Sequence, residues 1–184
     1  MEYSFKTNEK DQTRIIHLES DKLVYFMDDE RQEVPYNQIH SVWLSKPGGV
    51  LTPNSYSCTL NIKNAKPIYI SSKNWDDEKK EILQQNHYNS FVRVLHLHLK
   101  EKSRAQYGFG LPPASYLSKL AILLLIVCST IYWALSSQLS GTMLIGTIGL
   151  GVLIVIIGLN FSLKNYPSHY QPDQIPLNLL PSNS

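Results

Sequence analysis

Residues 116–135 read YLSKLAILLLIVCSTIYWAL, and residues 142–163 read TMLIGTIGLGVLIVIIGLNFSL. The first stretch carries a single charge, Lys119, near its start, and the second carries none. Each is about twenty residues long, and at about 1.5 Å per residue that length crosses a hydrocarbon core of about 30 Å. Neither has a polar face, and a small soluble domain could not cover two helices that are apolar all round. The two stretches therefore read as an α-helical transmembrane hairpin, closed by the short uncharged link Ser136–Gly141.

The residues flanking the hairpin orient it. Lys100, Lys102, Arg104 and Lys119 precede or open the first helix, Lys164 follows the second, and the link holds no cation. Cationic flanks stay in the cytoplasm, so both termini are expected there and the hairpin in the inner membrane. Tyr116 and Tyr166 at one end, with Tyr132 and Trp133 near the link, suit the two interfacial aromatic belts. Small residues let membrane helices approach, which sets a packing register. Gly151 and Gly158 lie two turns apart on one face, as do Ala121 and Cys128. In an antiparallel pair the numbers of facing residues add to a constant. One constant places Ala121 against Gly158 and Cys128 against Gly151. Lys100, Lys102, Arg104 and Lys119 are also the candidate contacts for anionic lipid headgroups.

Charge separates this region from the rest of the chain. Of 184 residues, 17 are Lys or Arg and 15 are Asp or Glu, yet beyond Lys119 only Lys164 and Asp173 are charged. The net charge of +2 excludes a strongly basic nucleic-acid binder. Two distant cysteines, Cys58 and Cys128, exclude a disulfide-stapled scaffold and a zinc cluster. Met1–Lys10 is polar and charged, unlike a signal segment.

The first hundred residues read as short strands and then a helix. Arg14–Met27 forms a hairpin about Glu19-Ser20-Asp21-Lys22. Gln38–Leu44 is a strand ended by Lys46-Pro47-Gly48-Gly49. Tyr56, Cys58, Leu60 and Ile62 alternate on one face, and after the Lys63–Lys66 turn Ile68 and Ile70 resume the pattern. Cys58 is accordingly a small buried apolar residue rather than a reactive thiol. Tyr88, Phe91, Val92, Leu95 and Leu99 recur at helical spacing as one apolar stripe. Asp76, Asp77 and Glu78 suit the positive end of a helix starting near Trp75. Asn86 could instead cap a second helix, which leaves one helix or two between residues 75 and 103.

This order, about six or seven short antiparallel strands and one C-terminal amphipathic helix, resembles the pleckstrin-homology-like fold. The likeness is nearest to bacterial membrane proteins that carry such a domain. It is carried by Val34–Val42, Leu60–Ile70 and Tyr88–Leu99. The resemblance implies an α+β chain: a small antiparallel β sandwich or barrel capped by the helix over residues 1–105, a linker over 106–115, the hairpin over 116–163, and a tail from 164. Headgroup-binding members of the wider fold place a Lys/Arg cluster between the first two strands. Here the corresponding loop, Thr7–Gln12, sets Lys10 between Glu9 and Asp11. This chain departs from that pattern, and protein contact is the remaining implication.

Residues that might carry chemistry do not converge. His96 and His98 sit about 200° apart on a helix and cannot share a metal. His17 and His40 fall on separate strands without an acid to orient them, and His87 lies near the helix start. Asp28-Asp29-Glu30 lacks the glycine and ligand spacing of a calcium loop. Gly48-Gly49 is a lone turn, and neither a nucleophile elbow nor a phosphate loop is present. The hairpin holds no acid or histidine for a proton relay. No catalytic residue, metal site or cofactor is expected.

The tail is more informative. Pro167, Pro172, Pro176 and Pro181 prevent a regular helix. Tyr166, Tyr170, Ile175, Leu177, Leu179 and Leu180 are too apolar to be left in water. Their own domain, the membrane surface or a partner should cover them. The expectation is a non-catalytic, membrane-anchored interaction module or accessory subunit that holds a partner at the cytoplasmic face. The alternatives are an anionic-lipid sensor, and a subunit of a membrane enzyme or transporter whose active site lies on its partner. Expected partners are the lipid bilayer and either a protein or a second copy of the chain. Neither a nucleic acid nor a small-molecule substrate is indicated.

Overall fold

A computed structural model of the chain describes residues 1–27, 30–48, 55–76, 80–136 and 141–182. It divides into two compact units, Met1–Gly110 with Ser168–Ser184, and Leu111–Pro167. Asp28, Asp29, Gly49, Asp77, Glu78 and the link residues 137–140, all given roles above, lie outside the described residues.

The first unit opens with β1 (Glu2–Phe5), β2 (Arg14–Leu18), β3 (Lys22–Met27) and β4 (Glu30–Pro35). They pair in chain order as one antiparallel sheet. Their alternation turns Tyr3, Phe5, Ile16, Leu18, Leu23, Tyr25 and Val34 to the core. A 3-10 turn at Tyr36–Gln38 leads to β5 (Ile39–Ser45), followed by β6 (Ser57–Ile62) and β7 (Ile68–Ser71). Cys58, Leu60 and Ile62 of β6 face inward as their alternation requires, with Cys58 wholly buried. Burial pushes the Cys58 thiol up to about 12, which keeps it protonated and inert. The tight β6–β7 turn holds Asn64 at φ 60°, a left-handed conformation that asparagine tolerates.

Three features differ from the reading of the sequence. First, Trp75 and Asp76 belong to a strand, β8 (Lys73–Asp76), which pairs with β9 (Lys80–Leu83). The Trp75 N–H donates to Lys6 O at 2.8 Å, and the Lys6 N–H donates to Asn74 Oδ1 at 2.8 Å. These bonds hold the segment extended against the end of β1. A single helix, α1 (Gln85–Lys102), starts only afterwards, with Asn86 inside its first turn. Second, the strands form separate sheets and not a closed barrel. Third, residues 106–109 of the expected linker form β10 (Gln106–Phe109). It runs parallel to β5, and β11 (Ser168–His169) pairs on its other side. Gly108 makes this possible: a Cβ there would collide with the six-membered ring of Trp43. The Trp43 indole N–H in turn donates to Gly110 O at 2.6 Å.

Helix α1 lays Tyr88, Phe91, Val92, Leu95 and Leu99 into one core shared with both main sheets. Each such side chain contributes about 1.5–3 kcal/mol by leaving water. The stripe therefore fixes the helix to the sheets, whatever its intrinsic propensity.

The second unit is a pair of helices, α2 (Pro113–Ser136) and α3 (Gly141–Lys164), each of 24 residues. Such a helix is about 36 Å long. Pro113 occupies the first helical position, where a missing N–H costs nothing. Within the pair, Pro113–Ala134 and Gly146–Lys164 are long and apolar enough to cross a membrane. The Leu111 N–H donates to Asn165 O at 3.1 Å and closes the base of the pair.

Candidate functional site

The apolar tail residues fall largely within the first unit. After β11, the Tyr170 N–H donates to Tyr107 O at 3.2 Å. The Tyr170 ring then packs edge-on to Tyr107, with centroids 5.8 Å apart. Its hydroxyl lies 2.8 Å from Nε2 of His96, which is only 1% exposed. His96 Nδ1 lies 2.7 Å from Val92 O, one turn earlier in α1. A carbonyl only accepts, so Nδ1 carries the proton and Nε2 accepts from Tyr170. Burial pushes His96 down to about 4, and burial holds the Tyr170 phenol well above its usual range. The bridge between helix and tail is therefore a neutral pair at pH 7.

Further contacts follow along the same helix. Lys100 Nζ meets Asp173 Oδ2 at 2.6 Å. The Asn89 side-chain amide donates to Pro181 O at 2.9 Å. Between them a 3-10 turn at Leu177–Leu179 brings Leu179 and Leu180 into the core. The prolines explain this path, since Pro172, Pro176 and Pro181 hold the segment extended or turned. Tyr170 and Ile175 pack partly buried on the same core. Leu177 is 79% exposed, and Tyr166, in the second unit, is exposed with its ring edge-on to Tyr116.

The four candidate headgroup cations do not share one role. Lys100 is paired with Asp173. Lys102 donates to the Ser20 carbonyl and sits 5.8 Å over the Tyr36 ring. Arg104 is exposed. Lys119, in the second unit, sits 5.8 Å over the Phe161 ring. His98 points away from His96 and stacks on Tyr36 at 5.3 Å. Among the described residues no three of His, Cys, Asp and Glu come together to hold a metal.

In the helix pair, Gly158 is the buried small residue, but the side chain nearest it is Leu123 and not Ala121. A Cβ on Gly158 would collide with Leu123. Gly151 has nothing within 4 Å of an added Cβ, and Cys128 is exposed. The half-buried positions Leu123, Val127 and Thr130 form the contact stripe of α2, offset from Ala121 and Cys128. A large residue on one helix fills the space left by glycine on the other, whereas the expectation had paired small with small.

Comparison with known proteins finds no matching family model, no similar curated protein and no similar solved structure. Function has to be read from the geometry. The sequence reading excluded a shared metal for His96 and His98 but named no partner for His96, and it did not single out Asn89. Their one available signal was that both fall on the edges of the α1 apolar stripe, where a polar residue needs a partner from another segment.

Proposed function

We propose that this chain is a non-catalytic interaction module anchored in the cytoplasmic membrane by the α2/α3 hairpin. One observation carries the reading: the long apolar helices expose leucines on all sides. Leu125 is 68% exposed and Leu163 is 81% exposed, where a core helix of a soluble protein would be covered. Connectivity supports a hairpin, because the chain leaves the first unit at Gly110 and returns to it at Ser168. Both ends of the hairpin then lie on one side of the bilayer. The cations Lys119 and Lys164 favour the cytoplasm for that side. The strand order closed by α1 favours a pleckstrin-homology-like domain in the first unit.

The tail is already docked on its own domain, so a partner must use another surface. Leu97 on α1 and Leu177 in the tail are large apolar side chains left in water, at 61% and 79% exposure. The full chain, purified from membranes in mild detergent, should carry a stoichiometric companion protein. Leu97→Asp with Leu177→Asp should release it without unfolding the domain. Replacing residues 111–167 by a two-residue turn is the matching control. Phe109 opposes Ser168, so Gly110 and the two added residues form a three-residue loop that closes a β10–β11 hairpin and should yield a soluble domain. A full chain found in the supernatant without detergent would sink the anchor. A membrane-bound chain free of any companion would sink the accessory role.

A further inference from the structure

The four-stranded sheet ends on β4, and among the described residues no strand pairs with its outer side. At six residues β4 is also the longest edge strand of the two larger sheets, against four in β1 and β7 and two in β11. Glu30, Arg31, Gln32 and Glu33 are all exposed. Hydrogen bonds at the start of β3 decide which backbone groups this edge presents. The Glu19 N–H donates to Lys22 O, which turns Lys22 towards β2. The Tyr36 N–H donates to Asp21 O, which turns Asp21 towards β4. Backbone groups alternate sides along an antiparallel strand, so Leu23, Tyr25 and Met27 follow Asp21. Their register partners Val34, Gln32 and Glu30 are thereby bonded within the sheet. Arg31 and Glu33 direct their N–H and C=O groups outward.

A strand can join such an edge antiparallel only where its own outward residues face Arg31 and Glu33. When that strand is β4 of another copy, the backbone permits it in registers two residues apart. One sets Arg31 against Arg31, another sets Glu33 against Glu33, and the one between them sets Arg31 of each copy against Glu33 of the other. Only this last register opposes unlike charges, and it does so on both sides of a two-fold axis at Gln32. The two side chains already meet within one chain, with Arg31 Nη2 2.6 Å from Glu33 Oε1, so they share a face of the sheet. Across the axis they would complete an alternating square of charges, with Lys22 Nζ held 2.8 Å from Glu33 Oε2 behind it. Charged side chains on an edge normally deter added strands. Here their order penalises a misaligned strand and matches a copy of itself.

We propose that β4 is a homodimer edge, on which β4 of a second copy adds antiparallel with Arg31 opposite Glu33. Pairing edge to edge closes a dimer and leaves no further β4 edge open. The contact is smaller than a standard interface of about 1,600 Å², so it is a transient one, best trapped covalently. The test oxidises the full chain in permeabilised cells, in a C128S background, Cys58 being buried. Gln32 faces its own copy as a non-hydrogen-bonded pair with Cα atoms about 4.5 Å apart, within disulfide reach. Q32C should therefore form the disulfide dimer in higher yield than R31C or E33C. Added to Q32C, E33R should lower that yield about tenfold, because it opposes arginines on both sides of the axis. R31E with E33R should restore it. A higher yield from R31C or E33C than from Q32C would set a like-charge register and overturn the proposal. So would a Q32C chain that stays monomeric, which would leave the edge to a strand from a different protein. Failure of the double reversal to rescue E33R overturns the charge match. Because the whole cell content is oxidised, none of these outcomes depends on the membrane anchor.

Discussion

The two units use leucine in opposite ways. In the first, Leu95, Leu99 and Leu179 are buried within one core drawn from strands, helix and tail. In the second, Leu124, Leu125 and Leu163 stand outward from two helices that touch along one narrow stripe. The first unit supplies its own apolar solvent, while the second leaves two helices long and apolar enough to cross a membrane largely uncovered. Burial in the one and exposure in the other thus follow from the same transfer free energy, which favours any apolar phase over water.

The largest effects come from making the same substitution in each unit. Leu179→Asp places a carboxylate in the core beside α1 and should destabilise the domain by about 4 kcal/mol. Thermal unfolding of the purified chain reads this directly. Leu125→Asp touches no core, and in water it should be almost silent. In a bilayer it costs about 3 kcal/mol of insertion free energy at the helix centre, so the chain should be lost from the membrane fraction. If Leu125→Asp left both insertion and stability unchanged, the contrast between the units would break.

The next effect belongs to the first unit alone. His96 is held neutral by burial, with its pKa pushed down to about 4 from an ordinary 6.5. The unfolded chain therefore takes up a proton that the folded chain refuses. This contribution is fully present above pH 6.5, is lost as the pH falls towards 4, and changes no further below that. Over the window the loss is about 3 kcal/mol. His96→Gln keeps a side chain able to reach Tyr170 and should flatten the acid limb of stability against pH. The hairpin, which has no acid or histidine, should keep its helicity across the same window.

These contrasts also explain what could be read in advance. The hairpin was legible because its signal is local: about twenty apolar residues need no partner to be recognised. The α1 stripe was legible for the same reason, and so was the inward face of β6 at Cys58, Leu60 and Ile62. What escaped depends on residues far apart in the chain. Trp75 lies in a strand because of Lys6, and β10 forms because Gly108 accepts the Trp43 ring. The docking of Tyr170 relies on His96, 74 residues earlier. The proline-spaced tail signalled that its apolar residues needed cover, but no local pattern could choose which surface supplies it. The helix contact shows the same division. Spacing identified Gly158 as an interface residue, but not Leu123 as the side chain that fills it.

The smallest effect separates shape from charge at the tail. Lys100 and Asp173 sit only 2.6 Å apart, but both are about half exposed, at 51% and 48%. Water and salt screen such a pair, so Asp173→Asn should cost less than about 1 kcal/mol and less still at high salt. Tyr170→Phe keeps the ring but leaves a buried imidazole nitrogen without its donor, which should cost about 1–3 kcal/mol regardless of salt. Thermal unfolding of the two variants at low and high salt distinguishes the contributions. A tail held mainly by its charges would reverse the order, with Asp173→Asn the more damaging. The burial of Leu179 and Leu180 argues against that reversal, because a segment anchored by two core leucines needs its ion pair only for alignment.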